Sequence, residues 1–127
     1  MSASAVYFGY RDATAAVRWL KAVGFRVLAQ QRGEDGTLVH AELGREDLVV
    51  MLGEDDSGFG VPELAGASTG VGVCLVTDDV DGLFERAVAA GGSAVLTPED
   101  TGWGGRRARV LDPEGREWSF GDYRPGS

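Results

Sequence analysis

Few side chains in this sequence can do acid–base, nucleophilic or metal chemistry, and their types narrow what that chemistry is. His40 is the one histidine and Cys74 the one cysteine. Imidazole ordinarily titrates near neutral pH, so His40 reads as a ligand contact or general base, or as a half-buried strand residue with a satisfied hydrogen bond. The two faces of its strand, Leu38/His40/Glu42 and Val39/Ala41/Leu43, leave that choice open. No serine or cysteine has an evident histidine and acid partner, so nucleophilic catalysis lacks support and Cys74 is expected to be a buried, inert thiol. With so little imidazole and thiolate, no register yields a nitrogen-rich metal site. Arg107 and Arg109 alternate onto one strand face, where they can clamp a carboxylate or phosphate, or pair with nearby acids.

Aromatic residues carry a more positive signal. Trp103 lies in the glycine-rich stretch GWGG, Phe59 in a long loop, and Tyr7 on a strand face that points away from the following helix. Small-molecule sites are built from such apolar and aromatic walls with a few placed polar groups. Trp19 and Trp118 differ, because their periodicity places them in the core.

The chain has 127 residues, one domain by size, and a net charge of −8 that argues against nucleic acid as a partner. Acidity favours a cationic small molecule or simple solubility. Of the basic residues only Lys21 is lysine, and Arg106, Arg107, Arg109 and Arg116 crowd into one local exception. No apolar run approaches the ~20 residues of a membrane span, the N-terminus lacks the basic and apolar regions of a signal peptide, and a lone cysteine fits a reducing compartment. A cytoplasmic location without membrane attachment is the expectation.

These residues need elements to position them. Val6 to Tyr10 reads as a strand, Asp12 as an N-cap, and Ala13, Ala16, Val17 and Leu20 as the buried stripe of a helix ended by Gly24. Strands are expected at Phe25 to Arg32, Thr37 to Leu43 and Leu48 to Leu52. Residues 53–70, with GEDDSGFG, a proline and GASTG, read as a linker or a loop folded over something. Val71 to Thr77 resumes as a strand, Asp79 caps a helix ended by Gly91, and Ser93 to Leu96 is a strand. Arg106 to Leu111 and Arg116 to Gly121 then close a hairpin around Asp112, Pro113 and Gly115, the residue types of a tight turn.

The order repeats. Val6 and Val73, Asp12 and Asp79, and Gly24 and Gly91 are each separated by 67 positions, and Leu43 and Leu111 by 68. One βαβββ module spans 4–52 and a second 71–125. About 50 residues alone bury too little apolar surface to be stable, so the two must pair. A ferredoxin-like βαββαβ sandwich is the rival pattern, and the extra strand in each half disfavours it.

The wording WGGRRARVLDPEGREWSF, residues 103–120, resembles the closing hairpin of the glyoxalase/bleomycin-resistance/dioxygenase group, the vicinal oxygen chelate superfamily. GYRDATAAVRWLKAVGF, residues 9–25, is similar to that group's first strand and helix. The resemblance implies an α+β fold in which two βαβββ modules form a curved mixed sheet with a concave cup and helices on the convex side. By alternation Ala5, Tyr7, Gly9, Val49 and Met51 would face the cup from one module, and Gly72, Cys74, Val76, Glu117 and Ser119 from the other. In metal-using members the ligands come from the first and last strands of each module, positions that fall here on Ala5, Met51, Gly72 and Ser119. That set offers no imidazole, carboxylate or thiolate.

The expectation is therefore a non-catalytic protein that binds and sequesters a planar or cationic, antibiotic-like molecule, similar to the bleomycin-resistance members. The resemblance implies a homodimer. Its ligand-binding residues would be Tyr7, His40, Met51, Phe59, Cys74, Trp103, Arg107, Arg109 and Ser119, with no cofactor. The alternative is a metal-dependent glyoxalase- or dioxygenase-like lyase or isomerase, which would need a carboxylate-based divalent-metal site.

Overall fold

A computed structural model describes residues 4–55 and 58–126; Asp56 and Ser57, in the GEDDSGFG stretch, lie outside the described residues. The chain divides into two compact units, residues 1–60 and 61–127. Each is a βαβββ module, so the fold is α+β as the repeat requires.

The first module runs β1 (Val6–Tyr10), α1 (Ala13–Ala22), β2 (Arg26–Arg32), β3 (Leu38–Arg45) and β4 (Leu48–Glu54). Asp12 caps α1 by accepting from the Ala15 N–H at 3.0 Å. Gly24, at φ 104°, ends it in a conformation that costs other residues a Cβ clash. Ala13, Ala16, Val17, Trp19 and Leu20 form the buried stripe of the helix. The sheet order is β1-β4-β3-β2, with β1 parallel to β4 and the other neighbours antiparallel. Ala41, Leu43, Val50 and Leu52 are buried on the sheet's helix side. Their alternation partners therefore form an open face.

The second module repeats this order with β5 (Gly72–Val76), α2 (Val80–Ala89), β6 (Ser93–Asp100), β7 (Arg106–Leu111) and β8 (Glu117–Gly121), ordered β5-β8-β7-β6. Asp79 caps α2 through the Gly82 N–H, and Gly91 at φ 115° follows its end. Leu75, Leu83, Ala87, Val110, Trp118 and Phe120 make this core.

The closing turn is stapled from inside. Asp112 Oδ1 accepts from the backbone N–H groups of Glu114 and Arg116, each at 3.0 Å, while its Oδ2 accepts from the Trp118 indole at 3.1 Å. Trp118 is fully buried, so its one polar atom needs that acceptor.

Several strand ends differ from expectation, β3 running past Leu43 to Arg45 among them. β6 continues past Leu96 through Pro98 to Asp100. Pro98 is tolerated there because β6 is an edge strand, where a missing N–H costs no ladder bond, and the register shifts between Leu96 and Glu99. β4 runs to Glu54, and the ladder continues as the Asp55 N–H donates to the Tyr10 carbonyl at 2.9 Å. None of the described helices is long and apolar enough to cross a membrane.

Candidate functional site

The open face of the first module is built by register. Tyr7 on β1 stands opposite Met51 on β4, which stands opposite Glu42 on β3. Gly9 stands opposite Gly53, leaving bare backbone beside that row. Neither glycine is incidental. A Cβ on Gly53 would lie 2.5 Å from the Val39 carbonyl oxygen, and one on Gly9 would press on the Asp55 side chain and the Phe59 ring at 3.3 and 3.4 Å.

These residues outline a depression of about 350 Å³ lined by Tyr7, Gly9, His40, Met51, Gly53, Glu54 and Asp55 among others. That volume is within the range of small-molecule sites. Tyr7 is 79% exposed, an aromatic wall turned to solvent. An adjoining depression of about 210 Å³ shares Glu54 and Asp55 and is bounded by Arg11 and Thr37. Arg11 lies over the Phe59 ring, 5.2 Å from its centroid, in a cation–π arrangement.

His40 belongs to the open face. Its Nε2 is 2.8 Å from Glu42 Oε2, two residues along the same strand, and both side chains are partly exposed. The two faces that sequence left open are thus resolved at this residue.

The open face of the second module carries Cys74 opposite Ser119, and Ser119 opposite Arg109. The buried, inert thiol expected at Cys74 is corrected: this side chain is exposed. Alternation on an edge strand places it on the uncovered face. Desolvation still pushes its pKa above the ordinary thiol value, with Arg109 pulling partly the other way.

Arg109 donates through Nε to Ser119 Oγ at 3.0 Å, donates to the Ala67 carbonyl, and lies 3.4 Å from Glu117. Glu117 is buried and accepts from the Thr69 N–H and hydroxyl and from the Ser68 hydroxyl. Burial opposes ionisation of Glu117, and these donors with the Arg109 charge outweigh it, holding its pKa below the usual carboxylate value. Arg107 pairs with Glu99 at 3.0 Å. Arg106 is held between Asp81 and Asp100, which keep its guanidinium more firmly protonated than usual while it lowers the Asp81 pKa. The basic hairpin therefore spends much of its charge on the chain's own acids.

The structure gathers Tyr7, His40 and Met51 around one depression, with Phe59 packed above Gly9 beside it. It groups Cys74, Arg107, Arg109 and Ser119 on the open face of the other module. Trp103 lies in the turn between β6 and β7 and is 69% exposed. Sequence reading missed four functional candidates. Glu42 was legible from its two-residue spacing to His40 and Glu117 from its cup-side alternation, whereas Glu54 and Asp55 reach the depression only because β4 runs past Leu52.

The positions where family members hold a metal, Ala5, Met51, Gly72 and Ser119, offer one thioether and one hydroxyl, and that hydroxyl already accepts from Arg109. Hard or borderline cations need more and better donors. Within either module these residues offer no donor set that fits a metal. No cluster of three or more His, Cys, Asp or Glu able to hold one occurs elsewhere among the described residues.

Comparison with known proteins agrees with this geometry. An uncharacterised protein of Mycobacterium bovis is 37% identical over 120 residues, covering 87% of this chain and 76% of that one. A Mycobacterium tuberculosis counterpart has the same identity and is covered over 68% of its length. The crystal structure of TioX from Micromonospora sp. ML1 is similar at 34% identity with a TM-score of 0.74, covering 98% of this chain and 100% of that one. A bleomycin resistance determinant encoded on the transposon Tn5 shares the fold, with a TM-score of 0.64 at 19% identity over 98% of this chain and 99% of that one. Residues 5–120 match the glyoxalase/bleomycin resistance protein/dioxygenase superfamily as a whole. The chain belongs to that superfamily.

Proposed function

We propose that this protein is a non-catalytic binder that sequesters a planar, cationic, antibiotic-like small molecule, acting as a cytoplasmic homodimer without a cofactor. The observation that carries this reading is the lining of the first-module depression. Tyr7 and Met51 offer an aromatic face and a polarizable thioether beside a bare glycine floor, and Glu54 and Asp55 offer carboxylates. Arg106, Arg107 and Arg109 are paired with acids of their own module, and the chain's net charge of −8 favours a cation overall. Kinship with a superfamily that includes bleomycin resistance proteins supports the same reading.

Ligand contacts fall to Tyr7, His40, Met51 and Phe59, with Cys74, Trp103, Arg107, Arg109 and Ser119 on the second module. The alternative, a metal-dependent lyase or isomerase, would need donors that the family positions do not provide.

Calorimetry and tryptophan fluorescence with N-methylacridinium and with a bleomycin test this. Saturable heat, with quenching of the exposed Trp103, is expected. Neither heat nor quenching with these cations overturns the reading, and about one tightly held metal per purified chain would replace it with the enzymatic one.

A further inference from the structure

The depression of the first module also has a chemical polarity within it. Resting on the binding reading above, we propose that His40 and Glu42 form a hydrogen-bond-accepting subsite that selects a planar cation bearing an N–H group over one without.

The argument starts from the shared proton. A carboxylate only accepts, so in the 2.8 Å contact between His40 Nε2 and Glu42 Oε2 the hydrogen sits on Nε2. In the neutral ring that leaves Nδ1 with a lone pair and no hydrogen. The side chain is 42% exposed, so the ring is within reach of a ligand. Geometry aims it at one. A Cβ on Gly53 would be 3.9 Å from His40 Cα, so the imidazole stands at the border of the bare floor formed by Gly9 and Gly53. A flat ring lying on that floor, beside the Tyr7 and Met51 row, presents its edge to His40.

The surroundings favour a cationic donor. Tyr7 comes from β1, Gln31 stands opposite His40 on β2, Glu42 lies on β3, and Glu54 and Asp55 come from the end of β4. No lysine or arginine is among the residues lining this depression; Arg11 borders the adjoining one, beyond Glu54 and Asp55. A ligand N–H⁺ would meet a neutral acceptor within a negative field, which strengthens the bond. Protonation of the imidazole places a hydrogen on Nδ1, converting the acceptor to a donor and adding a like charge. Glu42 is a positioning residue, fixing which nitrogen carries the hydrogen and how the ring is turned.

Fluorescence titrations with proflavine, a planar cation with N–H donors, and N-methylacridinium, one without, test the subsite. The wild type should prefer proflavine by roughly tenfold, the scale of one charge-assisted hydrogen bond. His40→Ala should show no preference between the two dyes. Glu42→Gln should give an intermediate preference, because the amide no longer fixes which ring nitrogen carries the hydrogen. Equal binding of both dyes by the wild type, or a preference that survives His40→Ala, overturns the subsite while leaving the sequestration reading standing. Failure of both dyes to bind overturns both readings.

Discussion

The Thr69 backbone N–H donates to Glu117 Oε1 at 2.6 Å, tying the loop before β5 to the open face of the second sheet. Arg109 pins the same loop through the Ala67 carbonyl. One buried carboxylate thereby serves as acceptor for a segment that has little regular structure of its own.

Replacing Glu117 with glutamine should cost about 2–4 kcal/mol, since the site loses its charge and gains a donor facing other donors. The sign with pH follows from the lowered pKa. The stabilisation is fully present above the ordinary glutamate value of 4.5 and is lost as pH falls through the lower folded value. Urea unfolding of the wild type should weaken over that acid window, and Glu117→Gln should flatten the dependence. Parallel pH profiles for the two proteins would refute this role.

Trp118 and Asp112 should behave as a coupled pair. Trp118→Phe removes the indole donor from a buried oxygen and leaves a smaller ring, so a loss of about 2–3 kcal/mol is expected. Asp112→Ala also removes both turn bonds and should cost about as much or more. A double-mutant cycle is expected to give a coupling of roughly 1 kcal/mol, and additive losses would mean the indole bond contributes nothing.

Gly53→Ala should destabilise by about 1–3 kcal/mol, because the new methyl meets the rigid Val39 carbonyl rather than a mobile side chain. Gly58→Ala makes no such contact, so any loss there comes from its positive φ of 95°, a strain that Gly53 does not carry. A neutral thermal shift for Gly53→Ala would show that β3 and β4 separate more easily than their register implies.

Cys74 should alkylate more slowly with iodoacetamide than a free cysteine at the same pH, despite its exposure, because desolvation lowers its thiolate fraction. Arg109→Ala should slow it further by removing the cation that opposes that shift. A rate equal to that of the free amino acid would place Cys74 in bulk-like surroundings.

Sequence by itself determined the modules. Asp12 and Asp79 cap helices, Gly24 and Gly91 end them, and Trp19 and Trp118 enter the cores, because capping, positive φ and periodicity are local properties of the chain. Strand alternation also placed Tyr7, Met51, Cys74 and Ser119 on open faces. What only tertiary structure decided depends on neighbours distant in sequence. His40 was ambiguous until its strand paired with β4, and β6 passes through Pro98 because its position at the sheet edge, which local chemistry does not encode, makes the missing N–H harmless. The hairpin arginines could clamp an anion or pair with nearby acids until Asp81, Glu99, Asp100 and Glu117 were brought against them. Charge pairing is a property of where side chains meet, and that is set by the folded sheet.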